Sequence, residues 1–175
     1  HAVVTPVIVA PGQRYVLPLA PEFITPQDGH QKQDCENASA KRWLGQYAKG
    51  FQGHQITVLG DDLYSRQPLC EQILAAGWNF LFVCKPTSHK TLYEWLEGLE
   101  RLGGIHTLTR QRRKGKRKTL DTYRFANQLP LRDGDAALTV DWCELTTTDE
   151  NGKVLYRNAF VSNHAITADL SLIHI

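Results

Sequence analysis

The chain has 175 residues, 42% of them hydrophobic, and a formal net charge of +2. This is enough for one core with an added subdomain, and no apolar run approaches the ~20 residues of a membrane-crossing helix. Cys35, Cys70, Cys84 and Cys143 form no C-x-x-C pair or metal-like cluster; Cys70 and Cys84 sit inside apolar patterns and read as buried thiols in a reducing cytosol, and no Gly-rich loop ending in Lys-Ser/Thr points to ATP.

Residues 2–10 are apolar and β-branched, Pro11-Gly12 marks a turn, and 14–19 read as a second strand. An antiparallel hairpin is expected, with Pro6 and Pro18 at edges or interruptions. A polar stretch containing Asp28-Gly29 then leads into a helix expected over 33–49. In it, Ala40, Trp43, Leu44, Tyr47 and Ala48 recur at helical spacing, and Gly50 is the expected cap. A strand over 55–59 lies between Gly53 and Gly60. A helix over 66–76 follows, with Leu69, Cys70, Ile73 and Leu74 on one face, Pro68 in its first turn and Gly77 at its close. Residues 79–84 are continuously apolar, as in a strand covered on both faces. Strand, helix and strand at this spacing predict a parallel βαβ unit.

Thr91 to Glu94 reads as a capping box, and Leu92, Trp95, Leu96, Leu99 and Leu102 make the apolar face of a helix stopped by Gly103-Gly104. Strand and turn patterns follow. Expected strands at 105–109 and 119–125 flank a basic segment around Gly115. Asp133-Gly134 marks a turn, and 137–147 and 153–162 flank Asn151-Gly152, a favoured hairpin turn. This predicts a β-rich insert with the basic run at a hairpin tip.

Arg110, Arg112, Arg113, Lys114, Lys116, Arg117 and Lys118 place seven positive charges in nine residues; without them 13 basic residues face 18 acidic ones. Such a run is commonly a solvated loop. It is also the footprint of a nucleic-acid contact, because neutralised phosphates release counterions.

Ile56-Thr57-Val58-Leu59-Gly60-Asp61-Asp62-Leu63-Tyr64-Ser65 reads as a buried strand, two carboxylates and the start of a helix. In open α/β sheets the crevice at the strand C-termini gathers ligands. A carboxylate there can serve Mg²⁺, which takes one or two protein carboxylates plus substrate phosphate. The common alternative is an aspartate that caps a helix or turn. His30, His54, His89, His106 and His164 are scattered and read as loop or surface residues, while Trp43, Trp78, Trp95 and Trp142 read as core.

Two antiparallel strands, a helix, a parallel strand ending in Asp, a helix and another parallel strand match most of an α/β ribonuclease H-like fold, whose first strand would precede His1. On these residues the chain resembles the DDE transposases of bacterial insertion sequences, in the branch with a β-rich insertion. Asp61 and Tyr64 fit that family's D-x-x-[YF] pattern, and the likeness extends through 67–76 and 79–85. QKQDCENASAKRWL at 31–44 and RNAFVSNHAIT at 157–167 are similar to such proteins too.

The resemblance implies that Asp61 is the second acid of a catalytic triad holding two Mg²⁺ ions, with Mn²⁺ as a substitute. Asp62, one residue off the pattern, would support or cap. The implied partners are double-stranded DNA, as transposon ends and target, and a second copy in a homodimer, with no membrane. The implied place of action is the bacterial cytoplasm, at the nucleoid.

The expected division is a partial catalytic core over 1–104, the insertion over 105–162 and a return toward the core over 163–169. The tail 170–175 (LSLIHI) is expected to be an adapter-derived scar. The family's first Asp is not found. Its Y-x2-R-x3-E-x6-K helix is also missing, since Tyr156 is followed three residues later by Ala159 rather than Arg. Together with the lack of any Met, this leads us to expect a catalytically silent fragment of a longer enzyme. The rival expectations are a domesticated DNA-binding protein on the same fold, a polymerase palm with Gly-Asp-Asp at a hairpin turn, and a plain α/β domain with a solvated basic loop.

Overall fold

The structure is a computed structural model that describes residues 2–25, 34–115 and 117–168, with Lys114 described in its backbone only. The expected Asp28-Gly29 turn, His30, the helix start at Gln33, Lys116 and the 170–175 tail lie outside these residues. The fold is mixed α/β, with three helices and a six-stranded mixed sheet.

The N-terminal hairpin forms, but in pieces. β2 (Val7–Ile8) pairs antiparallel with β3 (Leu17–Pro18) around the Pro11-Gly12 turn, where Gly12 takes φ +78°. β1 (Ala2–Val4) pairs with β4 (Glu22–Ile24), a strand the sequence reading did not anticipate. Pro6 lies between β1 and β2 and Pro18 ends β3; neither has the N–H that a continuous ladder needs, and Leu19 N donates to Pro6 O at 2.9 Å between the two paired segments. Both pairs are separate from the six-stranded sheet.

α1 (Glu36–Tyr47) buries Trp43 and Leu44 and runs on as a 3₁₀ turn over Ala48–Phe51. Gly50, the expected cap, lies inside that turn, and the positive φ falls instead at Gly53. Arg42 fastens α1 to the hairpin: its guanidinium donates to Asp34 Oδ1 at 2.8 Å, Asp34 Oδ2 at 3.0 Å and Glu22 Oε1 at 2.8 Å.

β5 (Thr57–Gly60), α2 (Gln67–Ala75) and β6 (Asn79–Val83) form the expected unit, with β5 and β6 parallel from Thr57↔Asn79 to Gly60↔Phe82. Pro68 lies in the first turn of α2, and Gly77 at φ +76° ends it. Cys70, Ile73, Phe80 and Phe82 are buried at the heart of the core. Truncating Phe82 to Ala would cost about 3–5 kcal/mol.

α3 (Lys90–Arg101) begins one residue before Thr91, with His89 at the N-cap and no side-chain cap bond, so the expected capping box does not form. Leu92 and Leu96 are buried, but Trp95 is exposed, which corrects its reading as core. Trp43, Trp78 and Trp142 are in the core as expected.

β7 (His106–Lys114), β8 (Arg117–Pro130), β9 (Thr139–Asp149) and β10 (Val154–Ser162) are antiparallel neighbours. β10 also pairs antiparallel with β6, so the expected insertion continues the core sheet in the order β5-β6-β10-β9-β8-β7. At Asn151-Gly152 the turn forms as expected, with Gly152 at φ +79° and Asp149 Oδ1 accepting from Lys153 N. A bulge bends β8 where its register shifts between Ala126 and Leu129, and Asp141 Oδ1 holds it by accepting from Gln128 N at 2.9 Å. The basic run is largely strand: Arg110, Arg112, Arg113 and Lys114 belong to β7, and Arg117 and Lys118 to β8, which pair as far as Lys114↔Arg117. Arg and Lys are weak strand formers, but pairing of 119–122 with Thr146 to Asp149 of β9 draws them into the ladder.

Candidate functional site

Gly60 ends β5 against two rings. A Cβ built there would meet the Phe82 ring at 3.0 Å and the Tyr64 ring at 3.1 Å, so a larger residue would have to push these rings aside by a few tenths of an ångström. Beyond Gly60 the chain makes a turn and enters α2, which leads back to a parallel strand. This is not the β-hairpin that a polymerase Gly-Asp-Asp requires. β5 is an edge strand among the described residues, not a central one.

The two carboxylates part company. Asp61 is exposed; its Oδ1 accepts from Leu63 N at 2.9 Å, closing an aspartate turn, and among the described residues no hydrogen bond engages its Oδ2. Asp62 is buried. Its Oδ1 accepts from Lys85 N at 2.7 Å and its Oδ2 from the Ser88 hydroxyl, which ties the loop after β5 to the loop after β6.

Ser65 and His89, both buried, complete the tie with a 2.7 Å contact between Oγ and Nε2. His89 therefore does not have the surface role read from the sequence. Burial holds its pKa below the usual value, against the pull of the Asp62 carboxylate. Burial likewise raises the Tyr64 pKa, helped by the Glu36 and Asp61 carboxylates. Ser65, Ser88 and His89 carry no spacing signal in the sequence; only the meeting of two loops reveals them.

A cation fits this rim only in part. Both Asp62 oxygens are engaged by protein donors, whereas Asp61 keeps an oxygen toward solvent. Among the described residues no group of three or more His, Cys, Asp or Glu gathers to hold a metal. Asp61 could contribute one ligand of a site, not a whole one.

Register relates this rim to the basic residues. Phe125 pairs with Cys143, Cys143 with Phe160, and Phe160 with Val83 at the end of β6. Residues 117–124 of β8 thus extend beyond the C-terminal end of β6, by roughly 25 Å at about 3.3 Å per residue. The ribbon projects at the same end of the sheet as Asp61 and Asp62.

Within the ribbon the seven charges differ. Arg112 forms an ion pair with the buried Asp121, whose Oδ1 also accepts from Thr147 Oγ1 at 2.7 Å. That carboxylate raises the Arg112 pKa. Arg113 stands opposite Lys118, and Lys114 opposite Arg117. Arg113, Arg117 and Lys118 are exposed, and like charges directly opposed in a sheet are destabilising.

No helix among the described residues is long and apolar enough to cross a membrane. No known family model matches the chain, and no curated protein is found to be similar to it.

Proposed function

We propose that the chain is part of a DNA transposase of the DDE type, with a ribonuclease H-like core. One observation carries this reading: two successive like-charge cross-strand pairs, Arg113↔Lys118 and Lys114↔Arg117, overhang the sheet end at which Asp61 is exposed. A ribbon that concentrates repulsion in this way gains from a polyanion that neutralises it.

Two further features support the core assignment. In a ribonuclease H-like sheet one strand lies between the hairpin and the strand that ends in Asp. Here the outer edge of β5 is unpaired among the described residues, and the hairpin exposes Val7, Val16, Leu17 and Phe23.

On this reading the ribbon follows the backbone of double-stranded DNA, and Asp61 supplies one oxygen to a divalent cation, Mg²⁺ or Mn²⁺. When bound, such a cation polarises a phosphoryl oxygen. Acting on transposon ends, such a protein would work as a homodimer at the bacterial nucleoid.

Fluorescence anisotropy with a labelled duplex, repeated across salt concentrations, tests the DNA reading. Replacing Arg113, Arg117 and Lys118 with Ala should weaken all duplexes alike and flatten the slope of log affinity against log salt by roughly 0.9 per lost contact. An unchanged slope would return the run to a solvated ribbon. In a chain that carries the remaining triad acids, Asp61→Asn should abolish Mg²⁺-dependent cleavage with folding intact. The domesticated-protein reading shares the ribbon and lacks that cleavage.

A further inference from the structure

A pocket of about 830 Å³ opens where the loops leaving β5, β6 and β8 meet, and Arg66, Lys90 and Arg132 line it together with Ser88, Thr91 and Glu71. It is separate from the basic ribbon. Arg66 donates through Nη1 to Ser88 O at 3.0 Å. Arg132 donates through Nε to Gln67 Oε1 at 2.7 Å, and Gln67 in turn accepts from Leu138 N at 2.9 Å. Neutral acceptors therefore fix both guanidinium groups. Among the described residues no carboxylate comes within ion-pair distance of Arg66, Lys90 or Arg132. Glu71, the one acid on the wall, is engaged by Gln67 Nε2 at 2.6 Å.

Three uncompensated cations around one acid make the wall a net attractor of anions. Gln67 and Lys90, the first residues of α2 and α3, also lie on the wall, so two helix N-termini add partial positive charge there. The wall holds no Phe, Tyr or Trp, and the His89 ring is committed to Ser65. No aromatic ring is offered as a stacking platform for a base, and the groups on the wall are chiefly cations and hydroxyls suited to a phosphate.

We propose that this pocket seats one backbone phosphate of DNA beside the loop that carries Asp61. The proposal rests on the reading that the chain handles DNA and adds a second contact to that reading. The Asp62 bridge to Lys85 and Ser88 fixes the pocket relative to Asp61, so a strand held here is positioned at the carboxylate rim while the ribbon holds duplex farther out.

Amide spectra of ¹⁵N-labelled protein, titrated first with inorganic phosphate and then with a 20-base-pair duplex, test this. Both probes should shift the amides of Ser65 to Gln67 and Ser88 to Thr91. The Arg66→Gln/Lys90→Ala double variant should lose about tenfold in duplex affinity. Lys90→Glu, at an exposed position, should lose affinity with an unchanged melting temperature, and it guards against a folding artefact in the double variant. Duplex shifts confined to the ribbon, with Lys90→Glu binding as wild type, would overturn the pocket and leave the DNA reading intact. Phosphate shifts in the pocket without any duplex binding would overturn both, making a free phosphate the ligand.

Discussion

Removing the Arg112 guanidinium should destabilise the protein, whereas removing its neighbour Arg113 should not. Asp121 is 0% exposed, and Arg112 reaches it from a side chain that is 53% exposed. Without Arg112, the buried carboxylate loses this charged partner and keeps the Thr147 hydroxyl. Breaking a fully buried pair costs about 3–5 kcal/mol and breaking an exposed one about 0–1, so a half-exposed arginine over a fully buried aspartate places Arg112→Ala at about 2 kcal/mol. With a urea slope of roughly 2 kcal/mol per molar, the unfolding midpoint should fall by about 1 M. Among the described residues the Arg113 guanidinium bonds to Gly115 O alone, at 3.1 Å, and its removal should stay within about 0.5 kcal/mol. Adding Asp121→Asn to Arg112→Ala should restore part of the loss, because the stranded charge is then gone. Equal midpoints for the two alanine variants would show that Asp121 does not depend on Arg112, and the division of the ribbon into fastened and available charges would fail.

The acidic pair should divide in the same way. Asp62→Ala leaves Lys85 N and Ser88 without their acceptor and should cost about 2 kcal/mol, whereas Asp61→Ala, which loses one exposed turn bond, should cost under about 1; thermal melts that reverse this order would refute the assignment. The Arg42 hydrogen bonds hold the Asp34 carboxyl at about 2, below its ordinary 3.8. For a depressed carboxyl the contribution is complete above the unfolded value and is lost as pH falls through the folded one. Melting temperature should therefore drop between about pH 4 and pH 2, and Asp34→Asn should flatten that drop. Burial pushes the Cys70, Cys84 and Cys143 thiols up to about 12, while Cys35 is exposed. A thiol reagent at neutral pH should modify Cys35 alone in the folded protein and all four thiols in urea.

Much of the backbone plan was legible in the sequence, because local signals and the final fold agree there. The apolar runs 55–59 and 79–84, the faces of the helices between and after them, and the turns at Gly77, Gly103 and Asn151-Gly152 all read true to within a residue or two. The failures come where distant pairing decides. Nothing local marks β4, whose ladder partner is β1. The basic segment, expected at a hairpin tip between strands at 105–109 and 119–125, is drawn into β7 and β8, which pair with each other as far as Lys114↔Arg117, while β9 reaches β8 at Thr119↔Asp149, just beyond the run. Trp95 belonged to the right apolar face of α3, but that face is wider than the surface it covers, so Leu92 and Leu96 are buried and the indole is left outside.

The candidate site was half legible for the same reason. Gly60-Asp61-Asp62 identified the rim, yet two adjacent aspartates are equivalent until one knows what approaches them. The loop after β6, carrying Lys85, Ser88 and His89, closes over Asp62 and consumes its oxygens, which leaves Asp61 as the carboxylate facing water. The basic run obeys the same logic: Asp121 consumes Arg112, while Arg113, Arg117 and Lys118 stay exposed. A count of charges in the sequence would credit the ribbon with seven phosphate contacts. The structure commits Arg112 to Asp121 and gathers Arg66, Lys90 and Arg132, three cations that the sequence scatters over some sixty-five residues, around one pocket. Charge density along the chain and charge available to a ligand are thus different quantities, and the second is set by which carboxylates the fold brings within reach.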